Sequence, residues 1–282
     1  MCKAVHTSDL HGKKEIYGKL FTYIKNEVPD IVFLGGDLYP SFRDMQNQND
    51  DFFEDFLVPN FTNLKQELKD KYPIICIILG NDDPAPEEKK FKKPEYCNLW
   101  NYINCGKLKY KKYTIYGYSY IPPTPFLYKD WELYDVSRYV DPGCVHPTEG
   151  IRSIDPGRDI DFASIKKDLE DLTANQNLEN AIFLFHSPPY KTNLDRAALD
   201  NKFVDYIPLD VNVGSIAIKE LIESRQPLLT LHGHIHESTT LTGHWKEIIG
   251  KTYCFNAATE LKALSIIEFD LDNFNNAIRK IY

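Results

Sequence analysis

The chain lacks several features that would have fixed its class at once. Its six cysteines (Cys2, Cys76, Cys97, Cys105, Cys144, Cys254) include no C-x-x-C pair, which argues against a zinc ribbon and against a disulfide framework. No apolar run approaches the ~18–20 residues of a membrane span, so no membrane partner is expected. There is no internal repeat and no low-complexity tract. Excess positive charge is missing as well: 33 Lys and Arg against 41 Asp and Glu leave a net charge of −8, which makes nucleic acid an unexpected partner. The first residues run almost directly into a strand, so no secretion signal is expected. With the scattered thiols, this points to the cytoplasm.

What the chain does have is histidine in the right places. Pro227-Leu228-Leu229-Thr230-Leu231 reads as a buried strand and runs straight into His232-Gly233-His234-Ile235-His236. Imidazole is the commonest metal ligand, so three rings at alternate positions need a reason other than packing. A polar loop that happens to hold them is the bland alternative.

Other strand ends tip the balance. Residues 3–8 read as a strand ending at Asp9-Leu10-His11-Gly12, although Asp9 alone would pass for the cap of a helix over 13–27. Ile31–Leu34 runs into Gly35-Gly36-Asp37, and Ile74–Leu79 into Gly80-Asn81-Asp82-Asp83. Ala181–Phe185 stops at His186-Ser187-Pro188-Pro189. A lone Gly-Asp is a common turn, but five apolar strands ending in metal-capable groups are not chance. Ligands of open α/β sheets bind outside the carboxyl ends of the strands. The set Asp9, His11, Asp37, Asn81, His186, His234 and His236 is too large for one catalytic ion and suits two. Carboxylate and imidazole without cysteine suit manganese, iron or zinc.

In this order, Asp-x-His, Gly-Asp, Gly-Asn-x-Asp, a strand-end His and Gly-His-x-His resemble the signature of the calcineurin-like metallophosphoesterases over roughly residues 5–237. The resemblance implies an α/β/β/α sandwich with a dinuclear metal centre. Asp9, His11 and His236 would hold one ion, Asn81, His186 and His234 the other, and Asp37 would bridge them. Two cations ~3.5–4 Å apart would clamp the phosphoryl oxygens and activate a bridging water for in-line attack. His232, Asp82 and Asp83 could orient ligands or water from behind. Many family members carry histidine after Gly-Asn, where this chain has Asp82. An aspartate could serve as that acid only with a pKa well above the usual ~3.9.

The remaining expectations are softer. Residues 38–72 show helical spacing broken at Pro59. Arg43, Lys191 and Arg196 are candidate substrate contacts, with surface ion pairs as the plainer reading. The aromatic and proline-rich stretch 119–160 reads either as a lid over a cleft or as a rigid cover, inserted in a single domain spanning 1–282. Thr239–Leu241, Thr252–Asn256, Leu264–Phe269 and Arg279–Tyr282 read as short strands of a second sheet. The expected function is metal-dependent hydrolysis of phosphodiesters or nucleotide-type phosphates. A phosphomonoesterase and a non-catalytic metal-bound scaffold for protein partners are the alternatives.

Overall fold

The computed structural model describes residues 2–41 and 50–282. Strands β1 (Lys3–Thr7), β2 (Ile31–Gly35), β3 (Ile74–Ile78) and β4 (Asn101–Tyr102) run parallel and form most of one sheet. β5 (Gly106–Tyr110) pairs antiparallel with β6 (Tyr113–Tyr118), which pairs parallel with β7 (Ala181–Phe185) in a second sheet. A small hairpin, β8 (Phe203–Val204) with β9 (Ile207–Pro208), stands outside both. β10 (Leu229–His232) rejoins the second sheet beside β7, and β11 (Lys246–Ile249) and β12 (Thr252–Asn256) complete it. β13 (Ser265–Asp270) and β14 (Asn273–Ile281) return antiparallel along β1. The spatial orders are 14-13-1-2-3-4 and 11-12-10-7-6-5.

Successive side chains of a strand face opposite sides, so each central strand feeds two cores. In β2, Val32 and Leu34 join Tyr17, Leu20 and Phe61 of helices Lys14–Glu27 and Val58–Leu68. Ile31 and Phe33 belong instead to the core between the sheets, with Leu184, Leu231 and Phe255. In β7, Phe183 and Phe185 pack outward with Leu169 and Ile222 of helices Ile165–Leu172 and Ile216–Arg225. Burial on both faces is why these strands read as unbroken apolar runs. The result is the four-layer α/β/β/α sandwich that the motifs imply.

Three local expectations fail for identifiable reasons. Thr239–Leu241 is not a strand but lies in the helical turn Ser238–Thr242, closed by Gly243 at φ 75° and by a bond from the Gly243 amide to Thr239 O. The C-terminal strands do not build a sheet of their own: β11 and β12 extend the second sheet, and β13 and β14 the first. Pro59 breaks nothing. A π-helical stretch, Phe52–Leu57, capped by Asp51, leads directly into helix Val58–Leu68, and Pro59 falls in that helix's first turn, where a missing N–H is tolerated.

Candidate metal centre

The parallel strands bring their carboxyl ends to one edge of the sandwich, and the expected ligands meet there. Ligand atoms of Asp9, His11, Asp37 and His236 lie within 4.8 Å of one another, as do those of Asp37, His186 and His234. Asp37 belongs to both groups. Asn81 joins the second through its Oδ1, 3.0 Å from His186 Nε2. The His186 Nδ1–H donates to Gly35 O at 2.8 Å, which turns Nε2 toward Asp37 Oδ2 at 3.3 Å.

The backbone around these side chains is unusual. Asp9 (φ 58°), His11 (45°), Asp37 (52°) and His234 (70°) all adopt the left-handed conformation, which costs an L-residue about 1 kcal/mol or more. Hydrogen bonds hold them there: Asp9 N to Gly36 O, His11 N to Asp37 O, and His234 N to Asp9 Oδ1 at 3.1 Å. The buried Asp83 carboxylate accepts from Leu38 N and Tyr39 N, both at 2.7 Å, and from Gly80 N at 2.8 Å, stapling the Asp37 loop to the Asn81 loop. Gly80 has no room for a side chain, since a Cβ would stand 2.3 Å from Asp37 Oδ1.

The donor set fits divalent cations. His11 Nε2 and His236 Nε2 converge to 3.2 Å, and Asp9 Oδ1 lies 3.2 Å from His236 Nε2. Such crowding of lone pairs and carboxylates is neutralised by protons when no cation is present. Burial alone would lower His186, but Asp37 and Asp9 push it up to about 10. His236 rises to about 9 against its burial, through Asp9. Asp9 and Asp37 stay below the ordinary carboxylate value despite burial, held down chiefly by His236 and His186 respectively. Burial lowers His11, and lowers His234 to about 3.

A sequence profile of the calcineurin-like phosphoesterases matches residues 2–238. The chain belongs to the calcineurin-like phosphoesterase family. It is therefore a hydrolase of phosphate esters, from a family that binds a dinuclear metal centre. No curated protein is similar to this phosphoesterase by sequence search. Solved structures share its fold at low identity. TT1561 of Thermus thermophilus is 16% identical over 99% of this chain and 98% of its own, with a TM-score of 0.55. A dimetal phosphatase from Danio rerio is 10% identical over 99% and 95%, at 0.53. A phosphopantetheinyl hydrolase from Mycobacterium tuberculosis is 10% identical over 91% and 89%, at 0.50.

In this phosphoesterase Asp37, Asn81, His234 and His236 of the Asp and His cluster line the floor of a cavity of about 730 Å³. Much of the wall comes from residues 122–144, a stretch without helix that is tied down by buried polar groups. Lys129 Nζ meets Glu132 Oε2 at 2.5 Å and donates to Thr124 O at 2.8 Å, while Thr124 N and Oγ1 both donate to Glu132. Trp131 Nε1 donates to Asp83 O, joining this wall to the floor. Asp135 accepts from Ser215 Oγ, Ile216 N and Ala217 N, and so caps helix Ile216–Arg225. Asp83 and the proline- and aromatic-rich stretch are visible in the sequence, but the buried pairings that hold this network are not.

Other expected site residues lie behind the cluster or outside the cavity. His232 does not face the cluster: its Nδ1 meets Ser187 O at 2.8 Å and its Nε2 meets Thr230 Oγ1 at 2.7 Å, and burial lowers it to about 3. Both nitrogens are used behind the His186 turn, so it positions that turn. Neither Lys191 nor Arg196 lines the cavity. Lys191 lies over the Tyr190 ring, and Arg196 is bound to Asp200 and Ala197 O, each at 2.6 Å. Local partners have captured both cations. Arg43 lies outside the described residues. His6 reads in the sequence as an ordinary strand residue, yet its Nε2 meets His232 O at 2.9 Å and links β1 to β10 across the two sheets.

Proposed function

We propose that this enzyme hydrolyses phosphodiesters, nucleotide-type diesters included, at a dinuclear centre. Asp9, His11 and His236 would hold one ion, Asn81, His186 and His234 the other, with Asp37 shared. The observation that carries the reading is the pair of ligand clusters with Asp37 in common, at the floor of a cavity large enough for a substrate. Manganese, iron or zinc suits the donors. Two such ions bound there would supply Lewis acidity and an activated water. The six free cysteines fit a reducing compartment such as the cytoplasm, and no helix among the described residues is long and apolar enough to cross a membrane.

The chain's own groups favour the diester. Among the described residues no lysine or arginine lines the cavity, whereas Asp82, Asp141, Asp210 and Glu237 do. A dianionic monoester would meet more repulsion there than a monoanionic diester. Asp82 replaces the histidine of many relatives. Without cations, repulsion from Asp37 and then burial raise its carboxyl to about 7. Cations beside Asp37 would cancel that repulsion, leaving an ionised Asp82 that accepts from Asn81 Nδ2 at 2.9 Å and orients it. With no strong general acid in that position, substrates with good leaving groups are favoured.

The test is hydrolysis of bis-p-nitrophenyl and mono-p-nitrophenyl phosphate by metal-stripped protein reloaded with manganese. Diester turnover well above monoester turnover supports the reading. Monoester preference would replace it with a phosphomonoesterase. Two bound ions with no turnover of either ester would favour the scaffold.

A further inference from the structure

The cavity wall continues outward as an apolar rim. Phe126 and Tyr139 line the cavity and are still 62% and 69% exposed, which places them at its mouth. Val204 lines it as well and belongs to the β8–β9 hairpin, whose remaining apolar side chains face solvent. Phe203 is 60% exposed, Ile207 51% and Tyr206 98%. The hairpin abuts the 139–144 stretch, because a Cβ on Gly143 would stand 3.1 Å from Val204 Cγ2. Strand alternation turns Phe203 to the other face of the hairpin, while Ile207 pairs with Val204 and shares its face. Single exposed apolar residues are ordinary; Phe126 and Tyr139 at the mouth, with Ile207 and Tyr206 on the adjoining hairpin, are several beside one opening and mark a contact site.

The tip of the hairpin is a second, independent observation. Asp205 (φ 45°) and Tyr206 (φ 70°) are both left-handed, the arrangement of a two-residue turn that Asn-Gly fills most easily. A tyrosine there is strained, and its ring touches almost nothing. Neither turn preference nor packing explains it, which leaves a contact outside the molecule. Charge narrows the choice of contact. Asp200, Asp205 and Asp210 against Lys202 leave this region at −2 (one positive, three negative), so an anionic surface would be repelled.

We propose that this rim docks the enzyme on zwitterionic lipid surfaces, and that its substrate is an amphiphilic phosphodiester whose chain lies along the rim while its phosphate reaches the Asp37 cluster. The proposal rests on the phosphoesterase reading above and narrows its substrate. A protein partner could cover the rim but would leave the apolar cavity behind it unfilled; an acyl chain occupies both. Tyrosine and phenylalanine suit the boundary between headgroup and chain. The reaction balances as before. An oxygen of water bonds to phosphorus, one ester P–O bond breaks, and the alcohol leaves with a proton from that water.

The test uses manganese-loaded full-length protein in two assays. The first is co-flotation with phosphatidylcholine vesicles. The second compares turnover of p-nitrophenyl dodecyl phosphate with that of p-nitrophenyl methyl phosphate, which share a leaving group and differ in the chain. The expected results are flotation and a kcat/KM at least about tenfold higher for the dodecyl ester. Tyr206→Gly should weaken flotation and lower that ratio without lowering the melting temperature, because glycine relieves the left-handed backbone. Ile207→Ser, on the face of the hairpin that Val204 shares, should act in the same direction. No flotation with equal turnover of the two esters overturns this proposal alone. Absence of turnover of both esters overturns the phosphoesterase reading beneath it. A dimer that Tyr206→Gly dissociates, with no vesicle binding, would show the rim to be a self-association surface and would also overturn the proposal.

Discussion

The floor and the wall of the cavity are built on opposite principles. The floor is a row of strand ends, each delivering one or two polar side chains just beyond a buried apolar run. Its geometry follows from the sheets, so residues as far apart as Asp9 and His236 meet by construction. The wall is an irregular chain, residues 122–144 and 187–214, fixed by buried single contacts such as Lys129 with Glu132 and Asp135 with the start of helix Ile216–Arg225. The floor concentrates strain and charge, whereas the wall supplies shape. Chemistry should therefore fail when the floor is changed, and selectivity when the wall is.

The comparison breaks most sharply at Asp37. Asp37→Asn removes the charge shared by both ligand groups and should reduce kcat by roughly a thousandfold or more, with loss of both ions by metal analysis. Retention of full activity would refute the shared-ligand assignment. Asp83→Asn leaves every ligand in place but weakens the staple between two ligand loops. It should lower metal affinity by about 10–100-fold, measurable by competition with a chelator. Asp135→Ala tests the wall. It should cost about 1–2 kcal/mol of stability through the lost helix cap and raise KM more than it lowers kcat.

Titration offers a subtler contrast within the floor. In metal-free protein His186 and His236 have folded-state pKa values of about 10 and 9, above their ordinary 6.5. The stability they contribute is complete below pH 6.5 and is lost as pH rises through 9 to 10. His6, His232 and His234 have values depressed by burial to about 4, 3 and 3, so their contribution is present above pH 6.5 and lost as pH falls. These histidines alone would place the stability maximum of metal-free protein near pH 6.5, and the carboxyls of Asp82 and Asp83, raised to about 7 and 8, draw it to lower pH. Loading with manganese should raise the melting temperature most at alkaline pH and release protons at neutral pH, since the ions displace them from His186 and His236. A melting temperature of metal-free protein that climbs steadily to pH 9 would contradict these assignments. The smallest effect belongs to Lys191→Ala and Arg196→Ala. Each should change kcat/KM for the diester by less than about twofold, because both side chains are engaged outside the cavity.

The same contrast explains what could be read in advance. The strand-end Asp, Asn and His residues are legible because an apolar run, a glycine and a polar residue occur together. At Gly80 the reason is physical, since Asp37 occupies the space a side chain would need. Asp83 could not be separated from Asp82 by sequence, although one staples two loops and the other lines the cavity. His232 stands nearest the richest motif yet turns its ring away, because Ser187 O and Thr230 Oγ1 claim both nitrogens. The wall is the least legible part. Its order comes from pairings between residues in different segments, such as Asp135 and Ser215, which no local pattern records.

The Asp83 staple also bears on how quickly the enzyme can be loaded. Three backbone amides from two loops converge on one buried carboxylate, so the loops carrying Asp37 and Asn81 are braced against each other, as the proposed capture of cations would require. Capture of the ions then needs proton displacement but no rearrangement of the chain. Loading should follow simple second-order kinetics, with a rate proportional to metal concentration and no plateau from a slow opening step. Weakening the staple should introduce that plateau.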